Sequence, residues 1–198
     1  MIKIVDYYFT PTSPWTYLGH RRFHEIAQRH GVEIRVKPID YGVVFPQTGG
    51  LPLPKRAPAR QAYRLMELKR WRAQLGIELN LHPKFFPAPA DAAARVVIAS
   101  DRAGGDSMGL AHAILTAIWT QEKNIADLPT LTEIANAAGQ DGAALVAASQ
   151  EPEAQAAYEA QTQEALERGV FGAPTYLYKD ELFWGQDRLE FLERALTD

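Results

Sequence analysis

The chain contains no cysteine among its 198 residues. Disulfide bonds, thiolate metal ligands and dithiol redox chemistry by the protein itself are therefore excluded. Long apolar runs are lacking too, since no stretch approaches the roughly 18 apolar residues that span a bilayer. The opening residues, MIKIVDYYF, have the pattern of a strand rather than of a secretory signal. We therefore expect a cytoplasmic location and no membrane partner.

Neither sign of charge is in large excess. The formal net charge is −3, hydrophobic residues make up 46% and charged residues 23%. This composition is typical of a folded globular protein rather than of a disordered chain or a protein that coats nucleic acid. The length suffices for one substantial core, or for a compact domain with a sizeable insertion. We expect no nucleic-acid partner.

The first 39 residues have the pattern of a β-α-β unit. Residues 2–9 are rich in β-branched and aromatic side chains, which favours a buried strand. Residues 14–30 show helical spacing of apolar side chains, and Gly31 is placed to end that helix. Residues 32–39 alternate as a second strand does. A strand, a crossover helix and a strand predict parallel pairing with a right-handed connection.

The middle of the chain is predicted to be mostly helical. Prolines and glycines crowd residues 41–58, which predicts an exposed loop with little regular structure. A helix is expected from about residue 59 to Gly76, followed by a second proline-rich connector. Helical spacing then dominates as far as a helix at about 151–168. We interpret the apolar stripes of these helices as core.

The last thirty residues predict a hairpin and a helix. The runs TYLY and ELFW, joined at residues 179–181, are typical of a β-hairpin. Asp187 is expected to cap the final helix. Three leucines of that helix should face inward: Leu189, Leu192 and Leu196. The full order, β-α-β, then helices, then β-β-α, predicts an α/β thioredoxin-like domain with an all-helical insertion.

Local chemistry alone gives modest signals. Ser13 and Pro14 form an ordinary helix start, because serine caps free N–H groups and proline fits the first turn. Ser13 lacks the GxSxG surroundings of a hydrolase nucleophile. His20 and His24 are four residues apart and could share a metal. We favour a solvated helix face for both histidines and expect no metal site.

Two segments, SPWTYL near the start and GVFGAPTYLYKDELFWGQDRLEFLERAL at the end, carry a family resemblance. With them the chain resembles the 2-hydroxychromene-2-carboxylate isomerase family, which is related to kappa-class glutathione transferases and more distantly to DsbA. The likeness spans nearly the whole chain. It implies a single DsbA-like unit over residues 1–198. Its thioredoxin-like part would comprise about 1–58 and 169–198, and its helical insertion about 59–168.

The resemblance also implies a glutathione site. In DsbA relatives a CxxC pair opens the first helix, and Ser13 stands where the reactive cysteine would be. The thiol then comes from glutathione, and Ser13 hydrogen-bonds its sulfur. Ala173 and Pro174 match a loop with a cis peptide bond that pairs with the cysteinyl main chain. Gln186 and Asp187 match the pair that binds the γ-glutamyl end, although Asp187 could serve as a helix cap as well.

Relatives hold the glycine carboxylate with a lysine and a loop asparagine. The register places Arg60 near that lysine, but no asparagine occurs between residues 40 and 79. Either the loop QTGGLPLPKR binds through backbone N–H groups instead, or the substrate differs from that of the family's founding member. Arg64 and the run KRAPAR are a solvated surface in most proteins, yet beside an anion site they could steer ligands inward. Three aromatic residues are either core or substrate-stacking candidates: Trp15, Phe45 and Trp184.

The activity implied by the resemblance is a glutathione-dependent isomerisation. A 2-hydroxychromene-2-carboxylate-type aromatic catabolite would give its hydroxybenzylidene-pyruvate isomer by reversible addition of the thiolate. The expected partner is thus a small aromatic carboxylate, and a homodimer stays open. A kappa-like glutathione transferase or peroxidase is one alternative, in which the thiol is consumed. A noncatalytic thioredoxin-fold binding protein is the other.

Overall fold

The computed structural model describes residues 2–197, so positions 1 and 198 of the expected single unit lie outside the described residues. The chain opens with strand β1 (Lys3–Phe9), helix α1 (Pro14–His30) and strand β2 (Val32–Pro38). The two strands pair in parallel, with Lys3 opposite Val32. The predicted β-α-β unit is confirmed.

Both ends of α1 form as the sequence predicts. The Ser13 hydroxyl oxygen accepts a hydrogen bond from the Thr16 N–H at 3.1 Å. At the other end Gly31 has φ 61° and donates its N–H to carbonyls of the last turn. Glycine adopts this left-handed conformation without strain, which is why the helix stops there.

The prediction of a loop at 41–58 is wrong for the first half of this range, which is helical, and a short 3₁₀ turn interrupts the loop in the second half. The helix is α2 (Tyr41–Thr48), and the 3₁₀ turn comprises Leu53–Lys55. Asp40 caps α2 through its side chain, and Gly49 ends it in the left-handed conformation. The proline inside α2 removes a single helical N–H, which the cap and the short length of the helix tolerate.

Helices fill the middle of the chain, as predicted. They are α3 (Pro58–Leu75), α4 (Asp91–Arg102), α5 (Ser107–Trp119), α6 (Leu128–Ala137), α7 (Gly142–Ser149) and α8 (Pro152–Glu167). None of the helices in residues 2–197 has both the length and the apolar character needed to cross a membrane.

The C-terminal hairpin consists of β3 (Thr175–Tyr178) and β4 (Glu181–Trp184), followed by α9 (Leu189–Thr197). The three leucines predicted to face inward are fully buried. The predicted cap at Asp187 is wrong. This residue lies inside a 3₁₀ turn (Gln186–Arg188) that precedes α9, and no side chain caps that turn. The tight turn begins at Gly185, so Asp187 comes too late to act as its cap.

The described residues form a mixed sheet with strand order β2-β1-β3-β4. Strand β3 is antiparallel to both β1 and β4. Alternate side chains of β1 enter two cores. Tyr7 and Phe9 pack in the main core with α1, α9 and the helical block, whereas Tyr8 packs with α2 and α8 on the opposite face. Helices therefore cover both faces, which is the α/β arrangement that the sequence predicts.

Candidate functional site

Three segments meet beyond the carboxyl end of β1. The register pairs Tyr8 with Thr175, so the residues just before β3 lie beside the segment that leads from β1 into α1. The turn after β4 joins them, because the Gly185 N–H donates to the Pro174 carbonyl at 2.9 Å. The start of α1, the loop before β3 and the turn after β4 together form the candidate site.

The start of α1 offers hydrogen-bond donors to an anion. Ser13 is 8% exposed. Its oxygen accepts from Thr16, but its O–H proton has no acceptor among the described residues. The Trp15 N–H also lacks an acceptor in residues 2–197. The first turn of α1 carries no acidic side chain, so the partial positive charge of the helix terminus is uncompensated.

The loop before β3 presents free backbone groups. The Ala173–Pro174 peptide bond is cis, as the resemblance implied. Within the described residues, neither the N–H nor the carbonyl of Ala173 has a hydrogen-bond partner. The loop is held from behind, since the Gly172 carbonyl accepts from the Tyr41 hydroxyl at 2.8 Å and from the Thr175 hydroxyl at 2.6 Å. Ala173 can therefore pair with an extended ligand, as a sheet edge does.

Gln186 fixes the turn after β4 to α1. The residue is 2% exposed, and its amide oxygen accepts from the Arg22 guanidinium at 2.9 Å. A Cβ added at Gly19 would lie 2.7 Å from the Gln186 Cβ, so glycine permits this close approach. The sequence did not reveal this contact, because 164 residues separate Arg22 from Gln186.

Asp187 is exposed at the mouth of the same turn. One of its carboxylate oxygens accepts from the Arg188 guanidinium at 2.7 Å. Gly185 has φ 105°, and a Cβ there would lie 2.5 Å from the Asp187 carboxylate. Asp187 and Arg188 thus present an acid and a base side by side to solvent. The sequence prediction overlooked Arg188, for which the adjacent letters DR were the only signal.

Arg60 stands apart from these residues. It is exposed in the first turn of α3. In the described part of the chain the Arg60 side chain donates no hydrogen bond and forms no ion pair, so nothing joins it to Ser13, Ala173 or Asp187. The structure therefore brings together five of the predicted residues and leaves Arg60 on a neighbouring element.

The three aromatic candidates differ in exposure. Trp15 is half-buried against the main core. Phe45 is half-buried on α2, with its ring 5.3 Å from that of Tyr41. Trp184 is 52% exposed and packs over Gly172, with its ring 4.8 Å from that of Phe171. Trp184 has the largest free surface beside the Ala173 loop.

The predicted solvated face at His20 is wrong. His20 is 1% exposed, because its side of α1 packs on α5 and its ring lies beside Tyr7 and Phe9 of β1. Its Nε2–H donates to the Met108 carbonyl and its Nδ1 accepts from the Tyr7 hydroxyl, both at 3.0 Å. Burial lowers the pKa of His20 to about 3, so the ring is neutral near pH 7. His24 is half-buried, and residues 2–197 contain no cluster of three metal-ligating side chains.

Comparison with known proteins identifies the family. The model of the DSBA-like thioredoxin domain matches residues 4–197. A 2-hydroxychromene-2-carboxylate isomerase from Sphingobium xenophagum is 31% identical over the full length of both chains. A kappa-class glutathione S-transferase from Caenorhabditis elegans is 24% identical, over 97% of this chain and 90% of that relative.

A solved structure of a 2-hydroxychromene-2-carboxylate isomerase superposes with a TM-score of 0.82. The two chains are 30% identical, and the match covers 98% of this chain and 94% of that one. The chain therefore belongs to the DSBA-like thioredoxin family and, within it, to the 2-hydroxychromene-2-carboxylate isomerases.

Proposed function

We propose that this protein is a glutathione-dependent isomerase of 2-hydroxychromene-2-carboxylate-type aromatic compounds, yielding the hydroxybenzylidene-pyruvate isomer. The observation that carries the proposal is the Ser13 hydroxyl. It stands at a helix N-terminus with a free proton, in a chain without cysteine that is 31% identical to a named isomerase. Such a chain needs a thiol from outside.

The open donors of the site fit a peptide that carries a thiolate on one of its side chains. The Ser13 O–H and the Trp15 N–H both lack acceptors within residues 2–197. A free thiol has a pKa near 8.5, and each unit by which these groups lower it corresponds to about 1.36 kcal/mol. A hydroxyl donor together with the helix terminus can make the thiolate the major form at neutral pH.

Other residues would hold the remaining parts of the tripeptide. Ala173 would pair with the cysteinyl main chain through its free N–H and carbonyl. Asp187 would bind the γ-glutamyl ammonium, and Arg188 beside it would bind the neighbouring carboxylate. Gln186 would contribute by keeping this turn on α1. Arg60 would hold the glycine carboxylate.

When bound, glutathione supplies the thiolate that adds to the conjugated substrate and leaves again, so that it is regenerated. The protein's residues bind and orient. Ser13 would keep the sulfur ionised by donating its proton in a hydrogen bond. Trp184, with Trp15 and Phe45 as further candidates, would stack on the aromatic ring of the substrate.

Ultraviolet-monitored isomerisation with and without glutathione tests the proposal. We expect turnover only with glutathione, and full recovery of the thiol at the end. Ser13→Ala should lower the rate about a hundredfold, as the loss of one donor to a developing anion does. Ser13→Thr is the matched control, because threonine keeps both the cap and the hydroxyl.

Two other results would redirect the assignment. Stoichiometric loss of glutathione during turnover would indicate a kappa-like transferase or peroxidase. The similarity to the kappa-class transferase from Caenorhabditis elegans is the reason for considering this alternative. A folded protein that fails to bind millimolar glutathione would indicate a noncatalytic binding protein. Unchanged activity of Ser13→Ala would remove Ser13 from the mechanism.

A further inference from the structure

Three arginines cluster around the start of α3 without acidic partners. Arg56 precedes the helix, Arg60 lies in its first turn and Arg64 follows one turn later. None of the three forms an ion pair in the part of the chain that the structure describes. The Arg56 Nε donates to the Leu51 carbonyl at 2.8 Å, which leaves its terminal nitrogens free.

Arg64 is the most enclosed of the cluster. It is half-buried, and its guanidinium carbon lies 5.3 Å from the centre of the Phe86 ring. Within residues 2–197 the Arg64 guanidinium donates no hydrogen bond, since the side-chain donors on this helix pass from Gln61 to Arg70. A guanidinium stacked on an aromatic face keeps the N–H groups at its edge available for a planar anion.

Burial and the like charge of Arg56 together lower the pKa of Arg64 to about 10. Burial and the charge of Arg60 lower the pKa of Arg56 in the same direction. Both arginines still carry a full charge near pH 7. A cation that is partly removed from water, beside a second cation and without a counter-ion, is unfavourable until an anion binds.

A series of contacts connects this cluster with the candidate site. The Tyr41 hydroxyl binds the Gly172 carbonyl in the loop before β3, and the Tyr41 ring packs on Phe45. Gly50, the residue before Leu51, lies against the Phe45 ring. Leu51 in turn accepts from Arg56. The cluster therefore borders the segment that supports the Ala173 loop.

Arg64 lies deeper in the protein than Arg60, because it is one turn further along α3 towards the buried Leu68. Arg60, Arg64 and Leu68 follow each other at four-residue spacing on one helix face. Leu68 is fully buried in the main core, whereas Arg60 is exposed. Arg64 thus lies between solvent and core, at a depth where an aromatic acid could place its carboxylate on the arginine and its ring against apolar side chains.

We infer that Arg64, supported by Arg56, forms a carboxylate subsite for the aromatic substrate, separate from the Arg60 position. The inference rests on the proposed function, in which the substrate is an aromatic carboxylate and Arg60 serves the cofactor. It assigns the recognition of the acid group to Arg64, the more deeply buried of the two half-buried arginines in the cluster, with Arg56 beside it.

Binding of benzoate, with benzyl alcohol as the uncharged analogue, tests the subsite by calorimetry. Arg64→Met keeps a stem over Phe86 and removes the charge. It should weaken benzoate binding about tenfold or more, as expected for the loss of a charge-assisted pair, and leave benzyl alcohol unaffected. Arg64→Lys should recover only part of the affinity, because lysine lacks the planar fork.

Arg102→Met is the matched control, since it removes one exposed charge at the end of α4. Its neighbour Asp101 lines a cleft with Val32, at the opposite end of the sheet from Ser13. This variant should bind benzoate as the unmodified protein does. An equal loss of benzoate affinity in Arg102→Met and Arg64→Met would show that the affinity depends on the net charge of the protein rather than on the position of Arg64. That result would overturn the proposed subsite.

Glutathione affinity, measured on the same variants, separates the two proposals. Arg64→Met should leave it within about twofold, because Arg60 rather than Arg64 is assigned to the cofactor. An equal loss of glutathione and benzoate affinity would place Arg64 in the cofactor site and overturn the inference. Failure of the wild-type protein to bind benzoate would also overturn the inference. Arg64-dependent benzoate binding without glutathione-dependent turnover would support the subsite and refute the proposed function.

Discussion

Single polar residues in this protein connect segments that are far apart in the chain. His20 on α1 binds Tyr7 on β1 and Met108 on α5. Gln186 in the turn before α9 binds Arg22 on α1. Each of these side chains is buried, and a buried polar group is stable only when its partners are present. The residue scale is therefore where pH and point substitutions should act most directly.

Acid should destabilise the protein through His20. In the unfolded chain its pKa is near 6.5, whereas the folded protein holds it at about 3. Between these values only the unfolded state binds the proton, so this contribution to the free energy of unfolding is complete above about pH 6.5 and falls below it with a slope that approaches about 1.4 kcal/mol per pH unit. Urea unfolding of the wild type between pH 5 and pH 7.5 measures this slope.

His20→Gln removes the titrating ring and keeps a donor and an acceptor. Over the same pH range its unfolding free energy should change less steeply with pH, because unfolding of the variant takes up about one proton fewer. His82→Gln, which changes an exposed histidine, should keep the wild-type slope. Equal slopes in the wild type and His20→Gln would show that the ring is not held neutral.

Asp187 should govern glutathione affinity rather than the chemical step. Asp187→Asn removes the charge proposed to bind the ammonium group and should weaken binding about tenfold or more. Asp180→Asn changes another exposed carboxylate, at the hairpin tip, and should not alter binding. Calorimetric titration with glutathione distinguishes the variants, and identical affinity of both would remove Asp187 from the site.

At the scale of elements, α1 contributes both the candidate anion site and the surface that holds the last turn. Ser13 begins the helix, and Gly19 lies against Gln186 one and a half turns later. The spacing on one helix couples the two, because a change in the position of α1 moves both the hydroxyl and the turn that carries Asp187.

Gly19→Ala should have two effects of opposite sign on the unfolding free energy. Alanine in a helix interior is favoured over glycine by roughly 0.5–1 kcal/mol. The added Cβ would, however, lie 2.7 Å from the Gln186 Cβ, a distance that forces the turn to shift. We expect a net loss of unfolding free energy and weaker glutathione binding, measured by urea unfolding and calorimetry. A gain in stability would show that the turn moves freely.

Local sequence signals predicted most elements, but they predicted neither α2 nor the 3₁₀ turn that makes Asp187 an unsuitable cap for α9. The Ser13 cap, the Gly31 stop and the hairpin were predictable because each depends on neighbours within a few residues. In α2 the proline and glycines of 41–58 concealed the cap at Asp40. The burial of His20 could not be predicted, since its partner Met108 is 88 residues away.

At the scale of the whole molecule, an ion cluster joins the sheet to the helix on its second face. The Lys37 ammonium on β2 lies 3.1 Å from Asp6 on β1 and 2.6 Å from Glu164 on α8. The Tyr8 hydroxyl also donates to Glu164, at 3.0 Å. Burial raises the pKa of Glu164, but the lysine and tyrosine outweigh it, so its pKa is lowered overall.

Lys37→Met should destabilise the fold without affecting ligand binding. It leaves the largely buried Asp6 and the partly exposed Glu164 without their cation. After allowance for this exposure we expect a loss of about 2–3 kcal/mol in unfolding free energy. Arg35→Met, which removes an exposed arginine 4.0 Å from Asp6, should cost under about 1 kcal/mol. Chemical denaturation measures the unfolding free energy of both variants, and calorimetry measures their glutathione affinity. A larger loss of unfolding free energy in Arg35→Met than in Lys37→Met would contradict the proposed role of Lys37.

The hairpin has a practical consequence for spectroscopy. Its tip, Lys179 and Asp180, lies four residue pairs from the loop and turn of the candidate site, a span of roughly 13 Å along the strands. Asp180 is fully solvent-exposed. Asp180→Cys would introduce the sole thiol of the chain, so a fluorophore could be attached there selectively and report on ligand arrival at the far end of the same two strands.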